Sequence, residues 1–144
     1  MKALIQRVSS ASVTINGKTK STIGRGILLL LGIEKDDAMQ DIEKIARKVH
    51  NYRIFSDSDG KMNLSLLDLD AELLVVSQFT LVADTKKGNR PGFSGGATPE
   101  HGEHIYQEFI EHVNTHYKKC ESGEFGADMQ VSLVNDGPVT FLLS

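Results

Sequence analysis

The tetrapeptide Ser77-Gln78-Phe79-Thr80 sets two hydroxyls and an amide inside the apolar run Leu73–Val82. Polar side chains in such a run must satisfy one another or line a cavity, because an unpaired polar group among apolar ones is costly. Read as a strand, alternation sends Gln78 and Thr80 to one face and Ser77 and Phe79 to the other. Two neighbouring polar side chains with nearby backbone N–H groups can line a small polar pocket, and an internally satisfied hydrogen-bond pair accounts for the same residues. The segment Lys86-Lys87-Gly88-Asn89-Arg90-Pro91-Gly92 gathers three positive charges. It reads either as a solvated loop or as a surface that positions a nucleic-acid backbone. Asn135-Asp136-Gly137-Pro138 reads as a turn between two strands.

Other candidates carry less. His101, His104, His112 and His116 fall within an arc of roughly 120° on a helix. His112 and His116 have the spacing of a helical metal pair, but His-Glu-x-x-His is absent and no cysteine or acidic partner is evident. The solvated flank of an amphipathic helix explains them. Asp57-Ser58-Asp59-Gly60 resembles part of a calcium loop, yet Phe55 and Leu66 stand where the pattern needs acids, so it reads as a turn. The lone Cys120 follows Lys118 and Lys119 at a helix end, a poor place for a nucleophile. No Ser-His-Asp or Cys-His set, phosphate loop or zinc spacing is recognisable. Neither a metal nor a cofactor is expected.

The elements that must position these residues follow from periodicity. Lys2–Val8 is strand-like, and Ser12–Ile15 and Lys18–Ile23 flank Asn16-Gly17, a strong hairpin signal. Gly26–Ile33 suits a strand covered on both faces. Asp36–Asn51 shows helical spacing, with Asp36 or Asp37 available as a cap. Tyr52–Phe55 reads as a short strand, Glu72–Ala83 as a long buried one and Asp84–Ala97 as a loop. A second helix is expected from Thr98 to about Lys119, with Thr98 capping and Pro99 in the first turn. Met129–Val134 and Val139–Leu143 read as strands. The expectation is α+β: curved, largely antiparallel or mixed, barrel-like sheet with two main helices packed outside.

The chain has 144 residues, 40% apolar and 24% charged, with net charge −3. One domain spanning 1–144 is expected. A net acidic chain can meet nucleic acid only through local basic patches. A single thiol fits a reducing compartment. No apolar run suits a signal peptide or a membrane span, so the expectation is a soluble, cytoplasmic protein without a membrane partner.

At Ser77-Gln78-Phe79-Thr80-Leu81 and Asn135-Asp136-Gly137-Pro138-Val139-Thr140 the sequence resembles the D-aminoacyl-tRNA deacylase family, also called D-tyrosyl-tRNA deacylases. Gln6-Arg7-Val8, Ala11-Ser12-Val13, Gly26, Arg53-Ile54-Phe55, Gly60-Lys61-Met62-Asn63, Lys87-Gly88, Arg90-Pro91 and Phe125-Gly126-Ala127-Asp128-Met129 match in the same order. Gly92 stands where the family more often has Ser. The resemblance implies a homodimer with active sites at the subunit interface, and a cis Gly137-Pro138 bond reaching into the partner's site. It implies that Ser77, Gln78, Phe79 and Thr80 line the pocket for the terminal adenosine and the aminoacyl ester. It gives Arg7 the role of holding the Gly-Pro motif. The implied function is translation quality control: hydrolysis of D-aminoacyl-tRNA and of glycyl-tRNA mischarged on tRNA-Ala, with L-aminoacyl-tRNA rejected.

An aminoacyl ester is already activated, so such a site need only orient it, stabilise the oxyanion and admit water. Backbone N–H groups around Phe79 and Thr80 are candidate donors, and the terminal 2′-hydroxyl of the tRNA can help activate the water. Two rivals remain from the sequence: an esterase with Thr80 as covalent nucleophile, which lacks a neighbouring base, and a non-catalytic nucleic-acid-binding module, disfavoured by net acidity and few aromatics.

Overall fold

The computed structural model describes residues 1–144. Its centre is the strand β1 (Lys2–Ile15), longer than the two separate strands expected. It turns through Asn16-Gly17, both at positive φ (51° and 75°), into β2 (Lys18–Ile23), and β3 (Gly26–Gly32) continues along the same edge. β3 pairs parallel with β6 (Glu72–Ser77), and β6 with β7 (Glu121–Ser122). The opposite edge of β1 pairs with β8 (Gln130–Leu143). β2 folds back towards β7, where the Ser21 hydroxyl donates to the Ser122 carbonyl. The result is a nearly closed, mixed, barrel-like sheet, as expected. β4 (Phe55–Ser56) and β5 (Met62–Leu64) form a separate small hairpin.

Alternation divides the apolar residues between two cores. Ile27, Leu29 and Leu31 of β3, with Leu73 and Val75 of β6, face the helices. Leu28, Leu74 and Val76 face the inside of the curved sheet with Val8, Ala11 and Val13. Burying each of these valine, leucine and isoleucine side chains stabilises by about 1.5–3 kcal/mol. The helix-side core is closed by α1 (Met39–Asn51) through Ile42, Ile45, Ala46 and Val49, and by α3 (Pro99–His116) through Ile105, Tyr106, Phe109 and Val113. α2 (Leu66–Leu69) is a single turn capped by Ser65.

Three expectations need correction. α1 starts three residues later than its period suggested, with Ala38 at the cap position and the Asp41 carboxylate accepting from the Ala38 N–H at 2.9 Å. Asp37 is instead buried, accepting from the Met1 ammonium at 2.8 Å and the Glu34 N–H at 2.7 Å. The strand expected over Glu72–Ala83 stops at Ser77, and Phe79–Val82 form a 3-10 turn. Finally, the two strands expected after residue 129 are one paired element, β8, with an excursion inside it. The sharp approach of β6 to β3 requires Gly26, where any Cβ would stand 1.9 Å from the Glu72 carbonyl oxygen.

Candidate functional site

The 3-10 turn overturns the alternation expected for Ser77–Thr80. The Gln78 N–H still bonds the Leu31 carbonyl at 2.8 Å, and then the chain turns back, with the Leu81 N–H on the Gln78 carbonyl at 3.2 Å and Ala83 N–H on the Thr80 carbonyl at 3.2 Å. Gly32 leaves room for this turn; a Cβ there would come within 2.9 Å of Val82 Cγ1 and 3.2 Å of the Gln78 carbonyl oxygen. The first N–H groups of a helical turn have no partner within it. Those of Phe79 and Thr80 find none elsewhere in the chain, and both residues are exposed. The Gln78 side-chain amide donates to Thr80 Oγ1, so these two side chains form the satisfied pair that the sequence allowed.

Ser77, Gln78 and Phe79 open onto a cavity of about 560 Å³. Leu31, Ile33 and Val76 form its floor, the first turn of α3 (Thr98, Pro99 and Gly102) one wall, and Phe125–Met129 with Val131 the other. Thr98 caps α3, its hydroxyl accepting from the His101 N–H at 3.2 Å. Gly102 lets Phe125 close in, since a Cβ there would lie 3.2 Å from the ring. These walls come from distant segments, so the sequence singles out the polar residues Ser77–Thr80 but not the α3 turn. The one signal was Phe125–Met129, which matched family sequence without a role. No histidine or cysteine lines the cavity, and Asp128, exposed, is its only carboxylate.

Thr80 is not among the residues lining the cavity; it sits at the rim beside Phe79. Phe79 is 67% exposed and touches Phe93 with ring centroids 5.4 Å apart. Phe93 follows the basic loop, which is closed at its base by reciprocal bonds between Asp84 and Gly92 at 2.7 and 2.9 Å. The loop that carries Lys86, Lys87 and Arg90 thus has its base beside the rim, and these three exposed cations are not paired to a carboxylate.

The second motif lies elsewhere. Between Asn135, opposite Val8, and Thr140, opposite Gln6, β8 makes an excursion through Asp136–Val139. Asn135 clamps it, Oδ1 accepting from the Val139 N–H at 2.7 Å and Nδ2 donating to Thr140 Oγ1 at 3.1 Å. Arg7 holds it to the body: Nε donates to the Asp136 carbonyl and Nη1 to the Ile54 carbonyl, both at 2.8 Å. The Gly137-Pro138 bond is cis, and Gly137 has φ 149°, where a Cβ would meet Val139 Cγ2 at 2.6 Å. Ser77 lies level with Leu31 and through it with Ala3, whereas the excursion lies level with Arg7. The two motifs of one chain are thus separated by roughly 13 Å along the strands and by three strand spacings of about 4.8 Å each.

The remaining candidates are structural. The His101 ring donates to the Asp37 carbonyl at 3.0 Å, and the His112 and His116 rings lie against one another, tilted by 45° with centroids 4.5 Å apart. No three or more His, Cys, Asp and Glu side chains are grouped so as to hold a metal ion. Cys120 is buried, which pushes its thiol up to about 11. The Asp57 carboxylate is taken up by its own turn, accepting from the Asp59 and Lys61 N–H groups.

Residues 4–144 match the family model described as D-Tyr-tRNA(Tyr) deacylase. A D-aminoacyl-tRNA deacylase of Alteromonas mediterranea is 62% identical over 98% of this chain and 97% of the relative. That of Thermosipho africanus is 55% identical over 99% of this chain and 96% of the relative. The solved structure of a c-Myc DNA Unwinding Element Binding Protein is 44% identical with TM-score 0.96, covering 100% of this chain and 98% of that one. A probable eukaryotic D-amino acid tRNA deacylase shares the fold, with TM-score 0.84 at 16% identity over 99% and 97% of the two chains.

Proposed function

Given that this chain belongs to the D-Tyr-tRNA(Tyr) deacylase family and is a D-aminoacyl-tRNA deacylase, a hydrolase acting on aminoacyl-tRNA, we propose that its site works by positioning the ester rather than by a protein nucleophile. The observation that carries this reading is the pair of unpartnered N–H groups at Phe79 and Thr80. Fixed donors aimed at a developing oxyanion are among the strongest catalytic devices available. In this reading the terminal adenosine enters the cavity beside Ser77, Gln78 and Phe79, and the ester carbonyl meets the free N–H groups. The neighbouring ribose 2′-hydroxyl helps to activate the attacking water. Thr80 is a weak nucleophile here, since its hydroxyl accepts from Gln78 and no base adjoins it. It orients the turn.

Handedness is read by Gly137-Pro138 of a second copy. In a two-fold dimer each subunit receives the other's excursion, and three observations support that assembly. The motifs within one chain are too far apart to share a site. The excursion is exposed but held firmly by Asn135 and Arg7. Val134 and Leu142 of β8 are 57% and 59% exposed, unusual for apolar strand residues. One carbonyl of the motif accepts from the substrate ammonium, and the other stands where an L side chain would go. Rejection by occlusion leaves the side-chain pocket open, so many D-amino acids are substrates. Glycine has nothing to occlude, and glycyl-tRNA mischarged on tRNA-Ala is cleaved as well. The basic loop at the rim meets the phosphate backbone, and the setting is cytoplasmic translation quality control, carried by a single domain over 1–144.

The test is complementation. A variant altered at Gly137 and Pro138 is mixed with one altered at Thr80. Mixed dimers contain one site built from two unaltered halves, so activity returns above that of either parent. A fully active monomer at assay concentration would contradict the reading.

A further inference from the structure

Away from the cavity, α1 carries a cationic face that neither the fold nor the site explains. Lys44, Arg47, Lys48 and Asn51 are all exposed. At 100° per residue they fall within an arc of about 100°. With Tyr52 they line a shallow groove. Arg53 extends the patch, bonding Asn63 rather than a carboxylate. None of these cations has a carboxylate within ion-pair distance, in a chain whose net charge is −3. Unpaired cations gathered on one face repel each other and are kept near one another only at some cost, so a polyanionic partner fits them.

The face sits next to the excursion, not next to its own chain's cavity. Tyr52, one residue beyond α1, packs edge-on against Phe141 of β8 with centroids 5.4 Å apart. The single Arg7 guanidinium bridges Ile54 and Asp136. Three extended residues from Asn51 to Ile54 span roughly 10 Å, which bounds the distance from the end of α1 to the Arg7 clamp.

We propose that the α1 face Lys44-Arg47-Lys48 docks the phosphate backbone of the tRNA whose 3′ end lies in the partner subunit's cavity. The subunit that supplies the chirality-reading excursion thus also supplies a grip on the tRNA body. This rests on the dimeric reading above. Nucleic acid is favoured over an anionic membrane because the reaction itself brings a polyanion to this place. The tRNA is then held by two cationic elements on opposite subunits: the rim loop with Lys86, Lys87 and Arg90 on one, and α1 on the other.

The test uses the triple variant Lys44→Gln/Arg47→Gln/Lys48→Gln, whose side chains are exposed and do not enter the core. Binding of uncharged tRNA is followed by fluorescence anisotropy across salt concentrations, and steady-state turnover of D-aminoacyl-tRNA is measured alongside. Each lost phosphate contact flattens the plot of log affinity against log salt by about one unit. The expected result is a slope shallower by two to three, roughly a tenfold rise in KM and kcat within about twofold. Unchanged slope and KM would overturn the proposal, as would loss of binding to phosphatidylserine vesicles with tRNA affinity intact.

Mixed dimers locate the face. One subunit carries Ala97→Trp, which fills its cavity, so only the other subunit's cavity works. Neutralising α1 on the Ala97→Trp subunit is expected to raise KM, and neutralising it on the other to leave KM unaltered. The reverse pattern would overturn the cross-subunit assignment. A monomer in sedimentation, with the triple variant still weakened for tRNA, would refute the dimer while leaving the cationic face standing.

Discussion

Arg7→Met keeps the length of the side chain and removes every donor, and it tests whether the excursion is held in place from the body of the sheet. Arg7 is 13% exposed and makes two hydrogen bonds at 2.8 Å to the carbonyls of Asp136 and Ile54. Hydrogen bonds from a charged donor contribute about 1.5–3 kcal/mol each. The accompanying approach to the Asp136 carboxylate, at 3.8 Å to a side chain 57% exposed, adds little. Because both bonds share one guanidinium, a combined loss of about 2–4 kcal/mol is expected rather than a simple sum. For a chain of this size each kcal/mol moves Tm by about 2–4 °C, so Tm falls by roughly 5–15 °C. Activity falls further, because a misplacement of about 1 Å in a positioning element can cost on the order of a hundredfold. Arg7→Lys reaches one carbonyl at a time and lands between. The assay pairs thermal unfolding with deacylation of D- and L-Tyr-tRNA. Arg7→Met is expected to lower the D rate and narrow the D-over-L preference. An Arg7→Met protein with unaltered Tm and full discrimination would refute the idea that this fork sets the excursion.

Two further outcomes follow from the geometry. Thr80→Ala lowers turnover without abolishing it, whereas a substrate ending in 2′-deoxyadenosine binds normally and reacts far more slowly; full turnover of the deoxy substrate would return a protein base to consideration, with Asp128 the one carboxylate at the cavity. His50 is buried, stacked on Tyr117 at 3.8 Å, with Nδ1–H on the Ala46 carbonyl at 2.7 Å, and burial holds its pKa below the usual value of 6.5. The unfolded chain then binds the proton more readily than the folded one, so this contribution to stability is complete above about pH 6.5 and is lost as pH falls below it. Tm measured from pH 7.5 down to 5 is expected to drop more steeply for the parent than for His50→Phe, and identical slopes would contradict this.

Much of the fold could be read from local pattern. Asn16-Gly17 marks the first hairpin, the unbroken apolar run of β3 marks a strand covered on both faces, and the period of Ile42, Ile45, Ala46 and Val49 marks α1. The exact end of β6 was hidden because Phe79, Thr80 and Val82 all favour strands. What bends them into a 3-10 turn is tertiary: a missing side chain at Gly32, on another strand, leaves the space. The Ser65 and Asp68 spacing is a capping signal, but the turn it caps, α2, is too short for any periodicity to show. The site is legible only in part for the same reason. Ser77–Thr80 stands out because it is polar within an apolar run. The opposing wall from α3 and Phe125–Met129 comes from distant sequence, and the separation of the two motifs appears only once the strand register is known.

The most direct test of the central claim, that the site reads handedness by occlusion rather than by recognising a side chain, is one series of deacylation rates. D-Tyr-, D-Phe-, D-Asp-, L-Tyr- and Gly-tRNA are compared with a single preparation. The account predicts cleavage of all three D-esters, measurable cleavage of glycyl-tRNA and sparing of L-Tyr-tRNA. Rapid cleavage of L-Tyr-tRNA, or complete inertness towards glycyl-tRNA, would contradict it.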